Sequence, residues 1–150
     1  MSLVPQKSQY SLRAVFELAK HQGQEPVKIQ AIAEAQDIPQ RFLENILSQL
    51  RQSGIVASRR GKHGGYLLVR ERARLSVGEV LRLVQGPISI VDCSGNDGDV
   101  TCSFGRDCVF WPMWRKAQTA LDDIYDNISF QDLVDQEEKL IAKQAVDYTI

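Results

Sequence analysis

The chain has 150 residues, 43% hydrophobic and 25% charged, with a formal net charge of -1. This suits one ordinary globular domain, or a small domain plus an extension, and the odd count of three cysteines excludes an all-paired disulfide framework within one chain. The N-terminus MSLVPQKSQYSL lacks the apolar core of a signal peptide, and no run approaches the ~18 apolar residues of a membrane span. The expectation is a cytoplasmic chain with reduced thiols and no membrane association.

The small net charge hides an asymmetry. Residues 1–75 hold 12 Lys and Arg against 6 Asp and Glu, net +6, whereas residues 76–150 hold 6 against 13, net -7. A basic front half suits a polyanionic partner; chance patterning of a soluble surface is the alternative.

In chain order, Ala14, Val15, Leu18 and Ala19 have helical spacing and predict a helix over residues 8–21, with Ser8 or Ser11 as its cap. QGQEP (22–26) reads as a loop. Ile29, Ile32 and Ala33 form a short helical stripe, broken at Gln36 and Asp37. Pro39 suits the first position of another helix, which carries the stripe Phe42, Leu43, Ile46, Leu47 and Leu50 and ends at Gly54. Two helices joined by a tight turn make a helix-turn-helix pattern.

IVASRRGKHGGYLLV follows. Ile55 and Val56 open one β-type run, YLLV (66–69) forms a second, and RRGKHGG between them is a basic, glycine-rich tip. A hairpin of this kind after a helix-turn-helix reads as a wing. SVGEVLRLVQ (76–85) predicts a short helix buried through Val77, Val80, Leu81 and Val84. After the cysteine segment, Trp114, Ala117, Leu121, Ile124, Tyr125 and Ile128 predict a long helix over 111–128, and a last helix is expected from about Ser129 to Lys143.

The second helix of the pair offers Gln40, Arg41, Glu44, Asn45, Ser48 and Gln49 away from its apolar stripe. Arg pairs with guanine, Asn and Gln with adenine, and Glu accepts from the cytosine amine. The wing offers Arg59, Arg60, Lys62 and His63 to phosphates or the minor groove, with Arg13 and Lys28 as further phosphate contacts. The alternative is that the helix merely shows its wet side to solvent. Against it, so many like charges on a glycine-rich tip repel one another without a polyanion, so the predicted partner is double-stranded DNA. His63 also fits a solvated loop tip, and His21 is expected to be exposed and idle. Two histidines far apart in the sequence supply no nucleophile or acid–base set, so no enzyme is expected.

All three cysteines fall in DCSGNDGDVTCSFGRDC (92–108), with eight residues between Cys93 and Cys102 and five between Cys102 and Cys108. This is not the paired spacing of a structural zinc site. Three soft thiolates suit an iron–sulfur cluster or a thiophilic ion; redox thiols and idle cysteines are the other readings. Asp92, Asp97, Asp99 and Asp107 surround the thiols with negative charge, which argues against a bare reactive thiolate, and Gly95, Gly98 and Gly105 allow tight turns around a bulky centre.

The order YSLRAVFELA, FLENILSQLRQSGIV, RRGKHGGYLL, SVGEVLRLVQGP, three cysteines and a long helix resembles the IscR/NsrR/CymR-type winged-helix regulators of bacteria over roughly residues 5–140. The resemblance implies a mainly α fold with a small β-hairpin wing: a winged helix-turn-helix plus a long dimerisation helix. It implies a DNA-binding domain at 1–86, a cysteine loop at 87–110, and a dimerisation helix with a C-terminal helix at 111–150. It implies a homodimer on a pseudo-palindromic operator, with Glu44 and Asn45 on bases and Arg60 in the minor groove. Cys93, Cys102 and Cys108 match the family's cluster ligands in order, implying an iron–sulfur cluster, [2Fe–2S] in preference to [4Fe–4S], that senses redox, iron or nitric-oxide status. Trp111 stands where the [2Fe–2S] members carry a ligand His, and Gln9 where the [4Fe–4S] members carry an Asp that reaches the partner's cluster. The fourth ligand is therefore unassigned; Gln9 is a poor iron ligand and Asp107 a chemically easier one. The alternative within the family is a cluster-free regulator that responds through thiols or a partner protein.

Overall fold

A computed structural model describes residues 2–93 and 102–149. Asp97, Asp99, Gly95 and Gly98 lie outside the described residues. The elements run α1 (Gln6–Lys20), α2 (Ile29–Gln36), α3 (Gln40–Gln52), β1 (Val56–Arg59), β2 (Gly65–Leu68), α4 (Val77–Gln85), a 3-10 turn (Gly105–Asp107), α5 (Trp111–Asp126) and α6 (Phe130–Asp147).

Pro5, not a serine, starts α1. Ser8 and Ser11 lie inside the helix and are buried, and the Ser11 hydroxyl donates back to the Lys7 carbonyl at 2.8 Å. No side chain caps α1; the ring-fixed φ of Pro5 suits the turn into the helix. Asp37 turns the chain with φ 50, Ile38 is buried, and α3 begins at Gln40 with Pro39 one place earlier than expected, at its N-cap. Leu43, Ile46, Leu47 and Leu50 are buried as their spacing predicts, but Phe42 is 43% exposed. Gly54 takes φ 79, and the Ile55 N–H returns to the Leu50 carbonyl at 3.2 Å, closing α3.

The hairpin pairs Val56 with Leu68 and Arg59 with Gly65 in antiparallel register. Val27 adds a bridge to Tyr66 through two 2.8 Å backbone hydrogen bonds. A Cβ at Gly64 would strike the Arg59 carbonyl, and one at Gly65 would strike that of Val27, so the close backbone approach at the wing base requires glycine.

Ser76 caps α4, accepting from the Glu79 N–H at 3.1 Å, and a capping box of Ser129 and Asp132 opens α6. α5 ends at Asp126, so Ile128 lies beyond it, and α6 continues to Asp147, past the predicted Lys143. One core joins α1, α2, α3 and the hairpin to Phe130 and Val134 at the start of α6. A smaller cluster of Val77, Leu81 and Ile88 seats α5 on α4 through Leu121 and Tyr125. There Gly78 leaves room for the Asp126 carboxylate, which Arg82 meets together with Asp122. Asp126 first, then Asp122, raise the Arg82 pKa against the effect of its partial burial.

Candidate functional site

The described side chains form two candidate sites, one on the helix-turn-helix and wing, the other in the cysteine loop. On α3, Gln40, Arg41, Glu44 and Asn45 are exposed and Ser48 is half-buried. Gln49 differs from its expected place: its amide donates to the Leu83 carbonyl at 3.4 Å, so it ties α3 to α4. Phe42 stands among the exposed α3 side chains, with Arg41 over its ring at 4.8 Å and Tyr10 at 6.4 Å between ring centroids. Gln6, Lys7 and Tyr10 of α1 with Phe42, Asn45 and Ile46 of α3 line a cleft of about 410 Å3. Nothing in the spacing of the sequence brings Tyr10 to Phe42; that neighbourhood comes from the packing of α1 on α3.

Arg59, Arg60, Lys62 and His63 are all exposed at the wing. The tip turns through Gly61, φ 101, with the Gly64 N–H on the Gly61 carbonyl at 3.0 Å. Lys28 does more than stand free: its ammonium donates to that same carbonyl at 3.3 Å and so ties the start of α2 to the tip. Arg51 holds the other side, donating to the Ser58 hydroxyl at 3.2 Å. Among the described residues no carboxylate pairs with Arg41, Arg59, Arg60 or Lys62, whereas Lys20, Arg70, Arg74 and Arg82 all carry one.

His21 is not idle. Its Nε2 lies 3.2 Å from Glu17, a carboxylate 5% exposed that also accepts from the Gln36 amide at 2.7 Å. Lys20 lies 3.6 Å from Glu17 and 3.1 Å from Glu137. Burial lowers the Lys20 pKa, but Glu137 and Glu17 outweigh it and the net shift is upward. This group joins α1 to α2 and α6. The spacing of Glu17, Lys20 and His21 along one helix face was its visible signal.

The three cysteines are free thiols; Cys93 and Cys108 are half-buried and Cys102 is exposed. Both ends of their loop are anchored on α5. Gln118, the one buried residue of that helix, donates to the Ile88 carbonyl at 2.8 Å and accepts from the Ile90 N–H at 3.0 Å. At the other end the Trp111 N–H donates to the Cys108 carbonyl at 3.0 Å. Trp111 and Gln118 are about 10 Å apart along the helix at 1.5 Å per residue. Among the described residues no three His, Cys, Asp or Glu side chains gather closely enough to hold a metal ion, so the thiols are on one loop without forming one ligand set. Asp107 lies exposed in the 3-10 turn. The chemistry of the donor set, three soft thiols, does suit an iron–sulfur centre. The Trp111 indole Nε1 is buried with no hydrogen-bond partner among the described residues.

Comparison with known proteins places this arrangement. IscR of Erwinia tasmaniensis, a helix-turn-helix transcriptional regulator, is 34% identical over 135 residues, covering 90% of this chain and 80% of that one. IscR of Sodalis glossinidius is 35% identical over 134 residues, 89% of this chain and 79% of that one. Among solved structures, CymR, the global cysteine regulator of B. subtilis, superposes with a TM-score of 0.74 at 29% identity, over 91% of this chain and 98% of that one. T. potens IscR gives 0.72 at 31% identity, over 91% and 89%. The relatives are transcriptional regulators and not enzymes, and no helix among the described residues is long and apolar enough to cross a membrane. Residues 4–136 match the Rrf2 family, described as iron-dependent transcriptional regulators, and the chain belongs to that family.

Proposed function

We propose that this Rrf2-family regulator acts as a cytoplasmic homodimer on a pseudo-palindromic operator. Residues 1–86 read DNA, 87–110 carry the sensor and 111–150 pair the two copies. Gln40, Arg41, Glu44, Asn45 and Ser48 meet base edges; Arg59, Arg60, Lys62 and His63 meet phosphates and the minor groove. The carrying observation is the group of cations at the helix-turn-helix and wing. Arg41, Arg59, Arg60 and Lys62 are exposed there, and no carboxylate among the described residues pairs with them. Unpaired like charges on one surface are favourable only when a polyanion neutralises them. Pairing of two copies is supported by α5 and α6, which leave Met113, Ile124, Leu140 and Ile141 exposed in the single chain. The test is binding of the purified protein to duplexes recovered by repeated selection from a random pool. Failure to enrich any sequence above nonspecific binding sinks the reading.

Cys93, Cys102 and Cys108 hold an iron–sulfur cluster in this reading, [2Fe–2S] in preference to [4Fe–4S]. Such a centre supplies one-electron chemistry and lability towards oxidants and nitric oxide. The chain's own part is to transmit the state of the loop. Gln118 and Trp111 fix its two ends on α5, so closing it around a centre pulls on the helix that sets the spacing of two reading heads. Three thiols in one loop and the family's iron-dependent description support this. Anaerobic purification is expected to give a brown protein with bound iron and sulfide, and Cys102→Ala to lose both.

A second reading has its own support. The thiols are not gathered here, and the structural relatives include an oxidised form of Staphylococcus aureus CymR, 27% identical with a TM-score of 0.69. In that reading the loop responds through reversible Cys–Cys linkage or a partner protein, without iron. An iron-free protein after reconstitution, with a disulfide found by mass spectrometry after mild oxidation, selects it.

A further inference from the structure

Phe42 is the third residue of α3 and the one member of its apolar stripe that the fold leaves in water. It is 43% exposed, whereas Leu43, Ile46, Leu47 and Leu50 are at most 2% exposed. It belongs to neither core cluster. Its ring is nevertheless held in place. The Arg41 guanidinium lies over it at 4.8 Å, and the Tyr10 ring is tilted at 44° to it with centroids 6.4 Å apart. Tyr10 is itself fixed, because its hydroxyl accepts from the Gln6 amide at 3.0 Å. Phe42 and Asn45, three residues further on, line the same cleft and so share one helix face. A single exposed apolar side chain is ordinary. One held by two neighbours in the first turn of α3, beside exposed Arg41, Glu44 and Asn45, has a surface ready for a partner.

We propose that Phe42 is a specificity-determining residue that reads a thymine of the operator through its 5-methyl group. This rests on the reading of α3 as the recognition helix and deepens it. In that geometry the N-terminal residues of the helix meet base edges in the major groove. Polar side chains find hydrogen-bonding partners on every base pair there, but an apolar ring finds one apolar group, the thymine methyl. Against any other base edge the ring displaces water and returns no hydrogen bond, which is unfavourable. Because Arg41 and Tyr10 already fix the ring, little side-chain freedom is lost on contact. Burying one methyl group is worth about fourfold in affinity.

The test uses the full-length protein and the operator recovered by selection from a random pool. Each thymine is replaced in turn by deoxyuracil, which removes the 5-methyl group and keeps the base pair, and affinity is read by fluorescence anisotropy. Wild type is expected to lose about fourfold at one thymine of a half-site and to tolerate the exchange elsewhere. Phe42→Ala and Phe42→Gln are each expected to bind the thymine and uracil operators equally well. A packing role for Phe42 would weaken binding without erasing that difference. An operator with no thymine, or a wild type indifferent to uracil at every position, overturns the proposal whatever the variants do. A variant that keeps the wild-type preference for thymine overturns it too, because another residue then meets the methyl. Failure to enrich any operator overturns the reading of α3 itself, a separate outcome.

Discussion

Ser76 and Ser129, the N-caps of α4 and α6, lie side by side as an antiparallel bridge. The Val77 N–H donates to the Ile128 carbonyl at 2.9 Å and the Phe130 N–H to the Leu75 carbonyl at 3.0 Å. Two helix starts therefore share one short hydrogen-bonded crossing, and Leu75 and Phe130 beside it are fully buried. Ser76→Ala and Ser129→Ala are each expected to cost about 1 kcal/mol, the usual price of a lost cap. Because the caps are neighbours, the double variant should depart from the sum of the singles by about 0.5 kcal/mol or more. Urea denaturation measures all three; strict additivity would mean that the crossing does not couple the two helices.

The same capping box predicts an acid dependence. The Ser129 backbone N–H, then its hydroxyl, hold the Asp132 carboxyl below its ordinary value. A depressed folded-state pKa gives stability that is present above the unfolded value, ~3.9, and lost as pH falls through the folded one. Asp132→Asn removes that ionisation. The gap in thermal midpoint between parent and variant should stay constant from neutral pH to about pH 5 and narrow below that. A gap that persists unchanged into strong acid contradicts the assignment.

Three variants separate the roles on the DNA surface. Lys62→Ala should weaken binding to all duplexes alike and reduce the salt dependence by about one phosphate contact. Asn45→Ala should cost about 1–3 kcal/mol on the preferred operator and little on random DNA. Gln49→Ala, whose amide is turned to the Leu83 carbonyl, should leave sequence preference unchanged. Fluorescence anisotropy over a salt series reads all three. Equal behaviour of Asn45→Ala on operator and random DNA would remove Asn45 from base reading.

The periodic features of this fold were legible. Leu43, Ile46, Leu47 and Leu50 recur with the helix period and are buried, and Gly54 and the wing glycines mark turns that demand their conformations. The start of α1 was not legible, because a serine preceding an apolar stripe resembles a cap even when the helix already starts after Pro5. Phe42 was misread because period assigns it to the apolar face, whereas only the position of Tyr10 and Arg41 decides what its ring touches. The end of α6 was missed for a related reason. Its last turns are exposed in the single chain, so burial on the core does not define them. In the loop, spacing named the three thiols but not the anchoring by Gln118, which depends on α5 folding back against Ile88 and Ile90.

Ile124 carries the last prediction. It lies on α5, 55% exposed, on the predicted apolar stripe of a helix whose one buried residue is Gln118. The half of this side chain left in water contributes little to the stability of the single chain, but burying it against a second copy gains about 1–2 kcal/mol. In a twofold interface each substitution occurs twice, so Ile124→Asp should weaken the dimer by about 2–4 kcal/mol, or about thirtyfold to a thousandfold in dissociation constant. The unfolding midpoint of the monomer should move much less than dimer affinity, because Ile124 belongs to neither core cluster. Operator affinity should fall with dimerisation, since one reading head engages one half-site and loses the second set of phosphate contacts. Sedimentation velocity over a concentration series reads the first effect and operator titration the second. A variant that remains dimeric at low concentration would place the interface on another face of the molecule.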